Sequence, residues 1–85
     1  MRLLYKKTFK KQYQNLPPVI KKRTGEKLNL LLSNFHHPFL QTKKMKGHED
    51  IWEVKISRSY RFTLQIKGDA YILRKIGKHE ILRKP

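Results

Sequence analysis

Residues 51–77, which read IWEVKISRSYRFTLQIKGDAYILRKIG, decide the fold because their apolar side chains recur with a period of two. Two runs alternate apolar and polar residues, and a turn at Lys67-Gly68-Asp69 leads into a third run over Ala70–Ile76. Such alternation predicts half-buried strands, and the short links between the runs require antiparallel neighbours. The alternating apolar residues are Trp52, Val54, Ile56, Tyr60, Phe62, Leu64 and Ile66.

The opposite face of this predicted sheet is polar. Glu53, Lys55, Arg61 and Thr63 project away from the core side if the alternation holds. A charged sheet face is a place where a nucleic-acid strand could lie, although the pattern alone fits an ordinary solvated surface equally well.

Upstream of these strands, the apolar period changes to that of helices. Arg2–Lys6 is predicted to be a short strand, and Thr8 to cap a first helix through its hydroxyl. Pro17-Pro18 ends that helix and begins a second one, which runs to about Asn34. The apolar stripes are Phe9, Tyr13 and Leu16 in the first helix, and Ile20, Leu28, Leu31, Leu32 and Phe35 in the second.

The predicted element order is β-α-α-β-β-β, with Thr42–Lys46 as an extra strand. This order predicts an α+β fold in which the two N-terminal helices pack on an antiparallel sheet, because nothing else in the chain can cover its apolar face. Eighty-five residues suffice for a single domain of this kind, over residues 1–85. Gly25, in the middle of the second helix, costs about 1 kcal/mol relative to alanine and has no explanation in the sequence.

The charge of the chain is strongly positive. Lysine and arginine number 21 against 6 acidic residues, a formal net charge of +15, and Met1–His48 holds twelve basic residues against the single acid Glu26. Such a surface attracts phosphate backbones through counterion release, or it awaits an acidic protein partner. No apolar run could span a membrane, and the N-terminus is charged too early for a signal peptide. We therefore expect a soluble, cytoplasmic protein without a membrane partner.

The residues that several kinds of chemistry require are absent from the sequence. Cysteine is absent and the four histidines show no metal-ligand spacing, so neither a metal nor another cofactor is expected. Glycine motifs for nucleotides, a serine nucleophile elbow and the aromatic strand motifs of RNA-binding modules are also missing. What remains is metal-free cleavage of RNA, which supplies its own 2′-hydroxyl nucleophile and requires fixed cations and a group that titrates near neutrality. Arg61, Lys55 and His79 fit these needs, although a histidine this close to the last residue is also a common surface residue.

Four stretches resemble the RelE/ParE toxin superfamily, and the likeness extends over nearly the whole chain. They are Lys43–Gly47, Trp52–Ile56, Ser59–Leu64 and Leu73–Leu82. The resemblance implies a small RelE-like domain that acts as the toxin of a type II toxin–antitoxin pair. It also implies a cognate acidic antitoxin, which would cover the basic sheet face and the helices.

The resemblance further implies roles for individual residues. Arg61 matches the arginine that holds the scissile phosphate, and Lys55 matches a basic position one strand earlier. Glu53 lies at a second polar position, and His79 matches the acid or base after the final glycine turn, in the form most similar to YafQ-like members. Arg83 stands where those members carry an aromatic residue that stacks on a base. The expected RNA-binding residues are Lys43, Lys44, Lys46, Arg58, Arg74 and Arg83.

The activity implied by the resemblance is that of a metal-independent endoribonuclease. Such an mRNA interferase cuts translated mRNA in the ribosomal A site and thereby inhibits translation, so the ribosome and mRNA are expected as further partners. Two alternatives stay open: a ParE-like inhibitor of DNA gyrase, and a non-catalytic module that binds RNA or the ribosome. The first would tolerate the loss of His79, and the second would show salt-dependent binding and leave the message intact.

Overall fold

The chain folds as one strand, two helices and four further strands, which confirms the predicted α+β order. In the computed structural model, which describes residues 1–85, the elements are β1 (Arg2–Tyr5), α1 (Lys7–Gln14), α2 (Pro18–Ser33), β2 (Lys43–Lys44), β3 (Ile51–Lys55), β4 (Arg61–Lys67) and β5 (Ala70–Gly77). Two 3-10 turns span Pro38–Leu40 and His79–Arg83, and the second is called the C-terminal turn below.

The five strands form one mixed sheet in the order β1-β5-β4-β3-β2. The predicted antiparallel pairing holds for β2 with β3, β3 with β4, and β4 with β5. The exception is β1, which pairs with β5 in parallel at the sheet edge. A parallel pair needs a long crossover between its strands, and here the crossover contains both helices and the rest of the sheet.

Both helices pack on one face of the sheet, and the core lies between them. The fully buried side chains include Phe9 from α1, Leu31 from α2, and Phe62, Leu64 and Leu73 from β4 and β5. Burial of each such side chain contributes about 1.5–3 kcal/mol. This helix face is therefore the main source of stability.

Two details of the helices differ from the sequence-based expectation. Thr8 does not cap α1, because the helix begins at Lys7 and its N-cap is Lys6, with no side-chain cap bond. The reason is that Lys6 still continues β1, its amide donating to the Leu73 carbonyl at 2.9 Å. Leu32 is 42% exposed, whereas its neighbour Leu31 is buried. One residue turns a helix by about 100°, and only the stripe centred on Leu31 faces the sheet.

Gly25 of α2 lies beside an open groove rather than against a neighbouring element. A Cβ built on Gly25 would have no heavy atom within 4 Å outside the helix's own backbone. The groove is lined by β1 and the two helices, with Tyr5, Phe9 and Leu28 among its apolar residues. Close packing therefore does not require a glycine at this position.

A β-bulge interrupts the pairing of β4 with β5. Thr63 pairs with Lys75 and Leu64 with Leu73, which leaves Arg74 as the extra residue of β5. The bulge shifts the phase of the strand, so that Leu73 and Ile76, three residues apart, are both buried in the core.

The face of the sheet away from the helices, called the outer face here, is not fully open. Thr63 lies on this face, as the alternation predicts, but it is not in contact with solvent: Thr63 is 0% exposed. The residues that follow β5 cross over it, and its hydroxyl donates a hydrogen bond to the backbone oxygen of Pro85 at 3.0 Å. The side chains of Ile81 and Pro85 are buried by the same crossing.

Candidate nucleic-acid site

The strand register places three of the predicted site residues, Lys55, Arg61 and Glu53, in adjacent rows of the outer face. Lys55 of β3 pairs with Arg61 of β4, and Arg61 pairs with Gly77 of β5, so the three form one row across the sheet. His79 follows Gly77 by two residues, at the start of the C-terminal turn. Glu53 occupies the next row on the same face, because side chains alternate along a strand.

Arg61 is held in one orientation by groups of its own chain. Its Nε donates to Glu53 Oε2 at 3.0 Å, and its Nη1 donates to the backbone oxygens of Ser57, Tyr60 and Arg58. The side chains of Arg61 and Glu53 are only 12% and 16% exposed. The guanidinium is thus fixed before any ligand arrives.

The link between β3 and β4 supplies those backbone oxygens. Ile56 and Ser57 donate their amides to the Tyr60 carbonyl, and the Tyr60 amide donates to Ser57 Oγ at 3.3 Å. These bonds curl the link around the end of Arg61. The local sequence ISRSY therefore builds an arginine socket from main-chain atoms.

One nitrogen of Arg61 stays available. Its Nη2 makes no hydrogen bond within the chain. Every buried polar side-chain atom of the protein does have a hydrogen-bond partner, so Nη2 is not one of the buried atoms. Nη2 must therefore reach solvent. A guanidinium nitrogen presented in this way can donate to a phosphate oxygen without any rearrangement of the arginine.

Few of the basic side chains are paired with an acidic one. The chain has only two ion pairs, Arg61–Glu53 and the exposed Arg2–Asp69. Lys55 is half-buried and His79 is exposed, and neither side chain has a hydrogen-bond partner. Lys55 is therefore an unpaired cation in the same row as the fixed Arg61, an arrangement suited to an anionic ligand.

The expected RNA-binding residues fall into two groups. Arg74 differs from the others, because its Nε donates to Pro85 O at 3.1 Å and its Nη1 to Gln65 Oε1 at 2.8 Å. The remaining residues have exposed side chains without acceptors in the chain: Lys43 and Lys44 in β2, Lys46 after it, Arg58 in the β3–β4 link, and Arg83 in the C-terminal turn.

The histidines do not form a metal centre. No group of three or more histidine, aspartate or glutamate side chains is placed to hold a metal ion. His37 has a local structural role instead, since its Nδ1 accepts a hydrogen bond from the Phe39 amide at 3.1 Å. In addition, neither helix combines the length and the hydrophobicity needed to cross a bilayer.

Two tyrosines have displaced pKa values, and both lie on the helix side of the sheet. Burial, and secondarily the nearby Tyr13, raises the pKa of Tyr5 above its ordinary value. Burial also raises the pKa of Tyr71, whose ring stacks on Phe35 with centroids 5.7 Å apart. Neither group belongs to the cluster around Arg61.

Sequence reasoning missed the groups that hold the site residues in place. The Ser57 and Tyr60 carbonyls are main-chain atoms, which no side-chain pattern reports. Gln65, which orients Arg74, reads as one more polar residue of a strand. One signal was available, because the spacing of three between Leu73 and Ile76 departs from strand alternation and marks the bulge that displaces Arg74.

The chain is similar to known toxins in sequence and in structure, although no family model matches it. The toxin RelE3 of Methanocaldococcus jannaschii is 27% identical over 82 residues, which cover 89% of this chain and 88% of that protein. A chain of the RelB–RelE antitoxin–toxin complex from Methanococcus jannaschii superposes with a TM-score of 0.79 at 23% identity, over 94% of both chains. The YoeB/ParE toxin from Agrobacterium tumefaciens superposes with a TM-score of 0.81 at 14% identity, over 93% of this chain and 99% of that one. The predicted resemblance is confirmed: the fold is that of the RelE-superfamily toxins.

Proposed function

We propose that this RelE-like chain is the toxin of a type II toxin–antitoxin pair, and that it cleaves translated mRNA in the ribosomal A site. The observation that carries the proposal is the Arg61 socket: a nearly buried guanidinium, fixed by Glu53 and three backbone oxygens, that leaves one nitrogen open in the row that also holds the unpaired Lys55. The open nitrogen is a hydrogen-bond donor available to a phosphate oxygen, as the proposed role of Arg61 requires.

The chemistry that fits these groups is an internal transfer of the phosphodiester. The 2′-oxygen of the message attacks the adjacent phosphorus and gives up its proton, the phosphorus–5′-oxygen bond breaks, and the 5′-oxygen takes up a proton. The products are a 2′,3′-cyclic phosphate and a 5′-hydroxyl. Because the nucleophile belongs to the RNA, the protein supplies only proton transfer and charge stabilisation.

The proposed roles follow from position and charge. Arg61 and Lys55 stabilise the phosphorane, which carries more negative charge than the diester. His79, exposed beside the end of β5, serves as the acid or base. Glu53 acts on the reaction mainly through Arg61, whose Nε it holds at 3.0 Å. The reaction as written needs no metal.

We propose a simpler role for the exposed lysines and arginines outside the row that Lys55 and Arg61 share. Lys43, Lys44 and Lys46 lie at the β2 end of the sheet, while Arg58 lies in the β3–β4 link and Arg83 in the C-terminal turn. We assign them to the phosphates of ribosomal RNA and the message, which neutralise charge without reading sequence. The place of action is then the cytoplasm, where ribosomes translate.

The proposed protein partner is a cognate acidic antitoxin. A net charge of +15 on 85 residues favours association with a polyanion or an acidic protein, and the RelE of Methanococcus jannaschii crystallised in complex with RelB. An acidic segment over the outer face would neutralise the site and block access to it.

The test is primer extension on a message in a purified translation system. We expect wild type to produce cuts that require the ribosome, and His79→Ala to lose them. His36→Ala is the matched control, because His36 is also exposed but lies in the loop after α2. Cuts that persist in His79→Ala would assign proton transfer to Lys55 or Glu53. The absence of cuts with wild type would favour gyrase inhibition, which a supercoiling assay then tests.

A further inference from the structure

The residues that follow β5 are fastened to the outer face at two places. Near β5, Ile81 packs so closely on Gly77 that a Cβ at position 77 would lie 3.0 Å from Ile81 Cγ2. At the far end, the backbone oxygen of Pro85 accepts hydrogen bonds from Thr63 Oγ1 at 3.0 Å and from Arg74 Nε at 3.1 Å. The C-terminal turn is therefore held on both sides.

The Thr63 hydroxyl bonds to the segment from His79 to Pro85, called the tail below, and to no group of the sheet. Thr63 is 0% exposed in the middle of β4, where a valine would fill the same space and favour the strand equally. A buried hydroxyl is costly unless it is hydrogen-bonded, and the only side-chain bond of Thr63 is the one to Pro85. The choice of a hydroxyl at this position is thus explained by the tail.

Two features orient Arg74 toward the backbone oxygen of Pro85. As the extra residue of the β-bulge, it is displaced from the regular ladder of β5. Gln65 on the neighbouring strand accepts from its Nη1 at 2.8 Å, which orients the guanidinium while Nε donates to Pro85. Two of its donors are therefore committed within the chain.

We propose that Thr63 and Arg74 are positioning residues for the site: through Pro85 they hold the C-terminal turn, and with it His79 and Arg83. His79 is the first residue of this turn and Arg83 the last, so both exposed side chains project from a backbone that is fixed at its two ends. Arg74 then contacts the tail instead of the RNA. This inference rests on the proposed function, because it assigns the two residues to the geometry of cleavage.

The experiment compares three threonine variants of the full chain. Thr63→Val removes the hydroxyl and keeps the shape, while Thr63→Ser keeps the hydroxyl. Thr24→Val is the matched control, because Thr24 is also 0% exposed but donates to the Ile20 carbonyl inside α2, away from the tail. For each variant, amide hydrogen exchange is measured over residues 79–84, together with the single-turnover rate of cleavage at saturating ribosome complex.

We expect Thr63→Val to raise exchange in the tail by about tenfold, the equilibrium effect of one lost hydrogen bond. The saturating cleavage rate should fall by about tenfold or more, because a small displacement of a catalytic group is costly, while the half-saturating concentration stays unchanged. Thr63→Ser should restore both values to within about twofold of wild type, and Thr24→Val should change neither.

Arg74→Lys separates positioning from RNA binding. Lysine keeps the charge but cannot donate to Pro85 and Gln65 in the planar arrangement of arginine. We expect this variant to lose cleavage rate and tail protection as Thr63→Val does, with an unchanged salt dependence of binding. An Arg74→Lys variant that retains both the rate and the tail protection would instead show that its charge alone matters.

Each failure has its own signature. A tail whose exchange is unchanged in Thr63→Val overturns the anchoring, and a tail that is loosened without loss of the cleavage rate overturns the positioning role. If wild type itself does not cleave the message, the proposed function is overturned and the positioning role with it. An active wild type with an unaffected Thr63→Val overturns the positioning role alone.

Discussion

The two faces of the sheet are built from alternate residues of the same strands, yet they are held together in different ways. On the helix face, Phe62, Leu64 and Leu73 are completely buried in an apolar core and carry no polar side-chain atom. On the outer face, the side chains of Arg61 and Arg74 are fixed by hydrogen bonds, many of them to backbone oxygens.

The difference shows how a small, highly charged chain separates stability from function. The helix face removes apolar area from water and needs no directional contact. The outer face holds cations whose nearest partners are mostly main-chain dipoles, which orient a cation and leave much of its charge uncompensated. Substitutions on the two faces should therefore affect different measurements.

The largest expected effect is on the outer face, at His79. His79→Ala should lower the cleavage rate by about 10²–10⁴-fold, the usual contribution of a positioned acid or base. Because the side chain is exposed and unpartnered, the free energy of unfolding should change by less than about 0.5 kcal/mol. Rate measurements and denaturant titration of the same preparation test both halves. A large loss of stability would show that His79 has a structural role, and the two faces would then not differ in the measurement that they affect.

The reverse pattern is expected on the helix face, at Leu31. Leu31→Ala should lower the free energy of unfolding by about 2–5 kcal/mol, since Leu31 is 1% exposed in the core. The activity of the molecules that remain folded should be unchanged. Urea denaturation gives the stability, and a loss below about 0.5 kcal/mol would show that the stripe of α2 faces elsewhere.

A substitution at Arg61 should lower both the cleavage rate and the stability. Arg61→Ala should reduce cleavage by about 10²–10³-fold through the lost phosphorane contact. It should also lower the free energy of unfolding by about 1–3 kcal/mol, because Glu53 and three backbone oxygens lose their donor. A freely exposed arginine would leave the unfolding free energy unchanged, so thermal denaturation decides whether the socket exists in solution.

The smallest expected effect concerns Gly25. Gly25→Ala should stabilise the protein by about 1 kcal/mol, since alanine favours the helix and its Cβ would enter open space. Cleavage should not change, because the groove beside Gly25 lies on the helix side of the sheet. A destabilised variant in thermal denaturation would mean that the groove is closed in solution.

The elements of the fold could be predicted because their apolar periods are local. The alternation at Trp52, Val54 and Ile56 and the helix stripe around Leu31 identify the faces that the structure buries. The sequence also predicted that Lys55 and Arg61 lie on neighbouring strands, since a short link makes β3 and β4 adjacent.

The remainder could not be predicted because it depends on groups without a pattern. The tail from His79 to Pro85 has no regular period, and so nothing in the sequence indicated that it covers Thr63. The socket of Arg61 uses backbone oxygens, and α1 begins at Lys7 without a side-chain cap because β1 runs up to the helix. In each case a non-local contact overrides the local preference.

The central claim, attack by the 2′-hydroxyl of the message within the Arg61 site, is tested most directly by changing one atom of the RNA. Ribosomes are programmed with two messages that differ only in a single 2′-deoxyribose at the cut position, and each is incubated with the wild-type protein. We predict that the all-ribose message is cut to a 2′,3′-cyclic phosphate and that the deoxy message stays intact. Cleavage of both messages at the same rate would contradict the account, because the nucleophile would then be water and not the RNA.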